Sequence, residues 1–204
     1  KDGSLKQTRV LQAISVLKTY KKVCLVNKVE KILAVATAAV RQARNQKAFL
    51  AEVYNVTGIK LRVLSETEEA TYVYQGVINS MDIPKGLIME IGGGSTKFVY
   101  YNRRNILQVA ILPFGALTLT EKFADPTLPP EKVTENIEKF FYEQLESLPW
   151  LKELDPDTQL IGVGGSFRNL SRIVIKINNY PLNMVHNYKV QRSDLIRIYD
   201  KMRV

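Results

Sequence analysis

The chain has 204 residues, 46% hydrophobic and 24% charged, which is the balance of a globular protein with room for one large or two small domains. Twenty-nine Lys and Arg against 20 Asp and Glu give a net charge of +9 and point to an anionic partner, but the basic residues are scattered, with no aromatic-interleaved block, which argues against a dedicated RNA-binding module. One cysteine, Cys24, and one histidine, His186, exclude internal disulfides and a Cys/His zinc site, and the longest strongly apolar stretch, 32–40, is too short to cross a bilayer.

Residues 5–20 place Leu5, Val10, Leu11, Ile14 and Leu17 on one side of a helix. Cys24 lies in an apolar run and is expected in the core, which suits a reduced, cytoplasmic setting. Residues 31–36 read as a short buried strand, after which Thr37 caps a helix over 38–44. Helical register resumes over 49–54 and stops at Gly58. The alternation over 59–64 predicts a strand. Ser65 with Glu68 three residues on predicts a capping box and a helix to about Tyr74.

After residue 86 the pattern changes to three strands, 87–91, 96–101 and 106–113, which form a β-meander. Helices over 116–123 and 131–147, a strand over 159–163 and helices over 167–175 and 193–203 complete the chain.

Two glycine-rich turns stand out. Glu90-Ile91-Gly92-Gly93-Gly94-Ser95-Thr96-Lys97 follows an apolar run, and consecutive glycines there let backbone N–H groups converge on an anion, with the Ser95 and Thr96 hydroxyls as added donors. It has neither the ending of a P-loop nor dinucleotide spacing. The octapeptide by itself is equally compatible with an ordinary glycine-rich hairpin. Gly162-Val163-Gly164-Gly165-Ser166 leads from a strand into a helix whose positive N-terminal end suits an anion. Taken singly, it also reads as a tight strand-helix junction.

An ordered set of blocks resembles the exopolyphosphatase / guanosine pentaphosphate phosphohydrolase (Ppx/GppA phosphatase) family. The set comprises residues 36–45 around Arg41, Ser65-Glu66-Thr67-Glu68-Glu69-Ala70 with Tyr74 and Gly76-Val77, and the Glu90 octapeptide. Leu112-Pro113-Phe114-Gly115, the 162–166 turn, and Tyr180-Pro181 with His186-Asn187-Tyr188 complete it. The resemblance implies an α/β, actin-like (ribonuclease H-like) two-lobe fold, with residues 1–83 as the later part of the first lobe and 84–204 as the second. It also implies that the first lobe is incomplete at its N-terminus, so that the chain alone is expected to be inactive.

By the same resemblance Glu69 is the catalytic base, while Arg41, Gly92, Gly93, Gly94, Ser95, Thr96, Gly164, Gly165 and Ser166 hold phosphate. Glu90 stands where the family has an aspartate that helps bind Mg²⁺, and Lys97 replaces a glutamate. Lys97 is expected either to bind phosphate directly or to mark a protein that retains its ligand without turnover. The implied substrate is inorganic polyphosphate or guanosine pentaphosphate, and the implied state a cytoplasmic homodimer without nucleic-acid or membrane partners. A non-catalytic polyphosphate or alarmone sensor, and more distantly a kinase of the same superfold, are the competing readings.

Overall fold

The computed structural model describes residues 3–202. The chain forms two compact units, Lys1–Thr71 and Tyr72–Val204. In the first, α1 (Gln7–Val26) packs on α3 (Gln46–Thr57), burying Val10, Ile14, Phe49 and Val53. Burial of such side chains is worth about 1.5–3 kcal/mol each as an upper estimate. Strands β1 (Ala34–Ala36) and β2 (Leu61–Val63) pair in parallel, with Val35 opposite Arg62. Between them α2 (Ala38–Arg41) starts without a side-chain cap from Thr37, whose carbonyl instead accepts the amides of Val40 and Arg41. Gly58, in left-handed conformation, ends α3 as its sequence predicts. Cys24, expected in the core, sits half-buried on α1, because the helix extends past residue 20 and carries the apolar run with it.

Helix α4 (Glu66–Ile78) runs across the division between the units. Its start is the predicted capping box: the Glu68 amide donates to the Ser65 hydroxyl, and the Ser65 amide donates to the Glu68 carboxylate at 2.8 Å.

The second unit is built on a four-stranded sheet in the order β5-β4-β3-β6. The meander β3 (Lys85–Ile91), β4 (Thr96–Asn102) and β5 (Asn105–Leu112) is antiparallel, and β6 (Gln159–Val163) lies parallel to β3. Side chains alternate between its faces. Leu87, Met89, Phe98, Ala110 and Leu112 share one face with Phe114, and the aromatic and aliphatic side chains of α5 (Ala116–Phe123), α6 (Pro130–Glu146) and the 3₁₀ turn Pro149–Glu153 cover them. Ile88 and Val99 have the opposite parity, and α7 (Gly165–Ile177), which buries Val174 and Ile175, packs against β3 and β6. The last helix, α8 (Arg192–Met202), buries Ile198. Its expected final residue, Arg203, lies outside the described residues.

Candidate active site

The parallel pairing of β3 with β6 sets Glu90 opposite Val163, so both strands leave the sheet at the same end and carry the two glycine turns with them. A Cβ on Gly164 would lie 3.6 Å from the Ile91 carbonyl and from Cγ of Glu90. Two segments some 70 residues apart in sequence thus become neighbours.

The first turn is closed by the Gly92 amide donating to the Ser95 carbonyl at 2.9 Å. The carbonyls of Gly92 and Gly93 accept the amides of Ala116 and Leu117 in the first turn of α5. Gly115 makes this approach possible, since a Cβ there would stand 2.3 Å from the Gly92 oxygen. Among the described residues no protein acceptor meets the amides of Gly93 and Gly94. Ser95 and Thr96, expected as hydroxyl donors, are buried, and Thr96 Oγ1 donates to the Phe114 carbonyl at 2.8 Å. The Thr96 hydroxyl therefore holds the entry to α5 against the turn.

In the second turn Gly164 takes φ 99° and ψ −173°, a conformation closed to residues with a side chain, and α7 begins at the next residue. Its carbonyl accepts the Arg168 amide, while the exposed Gly165 and Ser166 present first-turn amides of the kind that a helix cannot satisfy internally.

Glu90 and Lys97 face each other across β3 and β4, with Lys97 Nζ 2.9 Å from Glu90 Oε2. Lys97 is 2% exposed. The ammonium is turned onto Glu90. Among the described residues no three His, Cys, Asp or Glu side chains gather as metal ligands. One oxygen of Glu90 is already held by a buried ammonium, and repulsion between that ammonium and a second cation at the same carboxylate disfavours Mg²⁺ there.

In the first unit, Arg41 donates through one Nη to the Leu64 carbonyl at 2.8 Å and to Glu69 at 3.2 Å, and through the other to Glu66 at 3.3 Å. The arginine and Glu69 are both largely buried, at 18% and 17% exposure. Nε–H and one Nη2 hydrogen of the guanidinium remain for a further acceptor. The three acids that open α4 are thereby separated by role. Glu68 belongs to the capping box and to Arg62 at 3.2 Å, and the hydrogen bond from the Ser65 backbone holds its carboxyl below the usual glutamate range. Glu66 and Glu69 hold Arg41.

A family model described as the Ppx/GppA phosphatase family matches residues 1–203. The chain belongs to the Ppx/GppA phosphatase family. It is 31% identical to the solved family member from Aquifex aeolicus (TM-score 0.78), matching all of this chain and 65% of that one. An exopolyphosphatase structure from Cytophaga hutchinsonii is 25% identical (TM-score 0.84), matching 98% of this chain and 66% of that one. A bifunctional 3-dehydroquinate synthase/phosphatase of Fusobacterium nucleatum is 30% identical over 194 residues, 91% of this chain and 29% of its own length. The chain thus spans about two thirds of these Ppx/GppA structures and under a third of the bifunctional relative. The α/β, actin-like fold class expected from the sequence stands on this membership. No helix among the described residues is long and apolar enough to cross a membrane.

Three features of the site escape sequence reasoning. Gly115 appears there only as part of a block, and Glu66 only as one of several acids. The Glu90–Lys97 pair had a usable signal: the two residues are equidistant from the turn centre at Gly93 and Gly94, as cross-strand partners in a hairpin must be.

Proposed function

We propose that this chain is part of a phosphohydrolase that releases the terminal phosphate of inorganic polyphosphate, with guanosine pentaphosphate as a second substrate. The observation that carries this reading is the parallel register of β3 and β6, by which the Gly92–Gly94 turn and the N-terminus of α7 leave the same end of the sheet, with Gly164 beside Glu90 and Ile91. Phosphoryl transfer asks a protein mainly for positioning and for donors aimed at the phosphoryl oxygens, and backbone amides at a helix N-terminus supply both. The solved relative described as an exopolyphosphatase supports the substrate class.

Glu69 takes the proton of the attacking water. Arg41 fixes that carboxylate and offers its remaining N–H groups to a phosphoryl oxygen. Gly93 and Gly94 with Gly165 and Ser166 hold the phosphate, and the Gly92 amide closes the turn that presents them. The sensor reading draws on Lys97 as a cation at the cradle, and the ion pair of that lysine with Glu90 weighs against it. A cytoplasmic homodimer is the setting that the family resemblance implies.

The test is phosphate release from long-chain polyphosphate by the full-length protein, with Glu69→Gln alongside. The variant is expected to keep polyphosphate binding and to lose about 10²–10⁴-fold in kcat. Binding without release in the wild type would establish the sensor instead, and undiminished release by Glu69→Gln would remove Glu69 as the base.

A further inference from the structure

Glu90 lies under both glycine turns, one residue before the end of β3 and with its Cγ beside Gly164. Its partner Lys97 starts from the facing position on β4 and is almost fully buried, so its four-carbon stem is packed inside the unit and its charged end is brought to Glu90. A buried lysine is stable only where its charge is matched, and Glu90, partly exposed at 20%, supplies a matching carboxylate at 2.9 Å. The two charges therefore fix one another. A divalent cation approaching the same carboxylate meets an ammonium that already holds one of its oxygens.

We infer that Lys97 is the resident cation of this site: its ammonium takes the place of a divalent metal at Glu90, and the glycine turns bind phosphoryl oxygens without a metal ligated there. The inference rests on the reading of the turns as a phosphate cradle. It also alters the charge balance of that cradle. A carboxylate with a divalent ion carries net positive charge, whereas the Glu90–Lys97 pair is neutral, so the ligand's charge falls to the backbone amides of the turns and to cations elsewhere. Lys97 is thus a positioning residue that sets which ions the site accepts, and it does not touch the ligand.

Mn²⁺ binding to the full-length protein without substrate, read by electron paramagnetic resonance of free and bound metal, tests this apart from any phosphate release. Glu90→Gln is expected to leave the Mn²⁺ binding of the wild type unchanged. Lys97→Glu is expected to add about one equivalent of Mn²⁺ bound at least about tenfold more tightly than in the wild type, and Glu90→Gln in that background to abolish it. Lys97→Gln, which removes the ammonium without adding a like charge beside Glu90, is the variant to use if Lys97→Glu does not fold, and it is expected to show a smaller gain. A wild-type Mn²⁺ site lost in Glu90→Gln would overturn the inference, as would folded Lys97 variants that gain no metal. If the metal results hold while no phosphate is released, the hydrolase reading fails and the assignment of Lys97 stands.

Discussion

Arg41 donates to Glu66, Glu69 and the Leu64 carbonyl at once, so removing it leaves two carboxylates without the cation they share. Arg41→Met is expected to cost about 1–3 kcal/mol in urea denaturation, as for hydrogen bonds to charged groups. With Glu69→Gln in the same chain the loss should be smaller than the two single losses added, with a coupling of about 0.5–3 kcal/mol, and strict additivity would show that the pair does not form in solution. A second contrast separates packing from binding. Gly115→Ala forces a methyl group into the Gly92 carbonyl and is expected to cost about 1–3 kcal/mol as an overpacked site. Gly165→Ala meets nothing within 4 Å and is expected to be neutral or to stabilise by about 0.4–1 kcal/mol, while weakening phosphate binding where the backbone must approach the ligand closely. Phosphate binding and stability measured on both variants would show the split, and unchanged binding in Gly165→Ala would take that turn out of the cradle. These residues also mark what the sequence made legible at the site. Glycine turns announce themselves because few other residues can replace glycine there. Whether a hydroxyl such as that of Thr96 faces a ligand or a neighbouring carbonyl depends on a contact with Phe114 that no local pattern encodes.

At the scale of elements, α4 owes its first turn to two reciprocal hydrogen bonds between Ser65 and Glu68. Ser65→Ala is expected to cost about 1 kcal/mol, the usual loss for an N-cap. The Glu68 carboxyl is held below its ordinary value of 4.5 by the Ser65 backbone hydrogen bond first and the Ser65 hydroxyl second. The folded state therefore binds fewer protons than the unfolded one, and this contribution is complete above pH 4.5 and fades as the pH falls below it. The stability difference between wild type and Glu68→Gln should stay constant from pH 7 to about 5 and shrink towards pH 3. A difference that holds across that whole range would rule the linkage out. Such local devices explain why so many elements could be read in advance. The limits of α5 and β6 were readable to the residue, because each is bounded by glycine or by a clear change of period. Helix α1 runs six residues further than its pattern, to Val26, because its last turns leave Val23, Leu25 and Val26 exposed and so show no apolar stripe. Strand β1 shrinks to Ala34–Ala36, since only three residues find partners on β2. The pairing of β3 with β6 had no local signal at all, because it joins segments separated by three intervening helical elements.

For the molecule as a whole, each unit has a buried cluster of its own. Val10, Ile14, Phe49 and Val53 serve the first, and Phe98, Ala110, Leu112 and Phe114 serve one face of the sheet in the second. Phe49→Ala and Phe98→Ala, at positions 6% and 3% exposed, each delete a buried ring and are expected to cost about 3–5 kcal/mol where they fall. Native-state hydrogen exchange distinguishes local from global loss, because amides that open in a sub-global unit report the stability of that unit. Phe49→Ala should accelerate exchange in α1 and α3 and leave β3, β4 and β5 protected, and Phe98→Ala should do the reverse. If either substitution strips protection from both units to the same extent, the chain folds as one cooperative body. The phosphate cradle of the second unit would then depend on the integrity of α1 and α3. If protection is lost only locally, the cradle and its Glu90–Lys97 pair belong to a unit that keeps its fold when the first is weakened, and anion binding to the Gly92 and Gly164 turns should survive in Phe49→Ala.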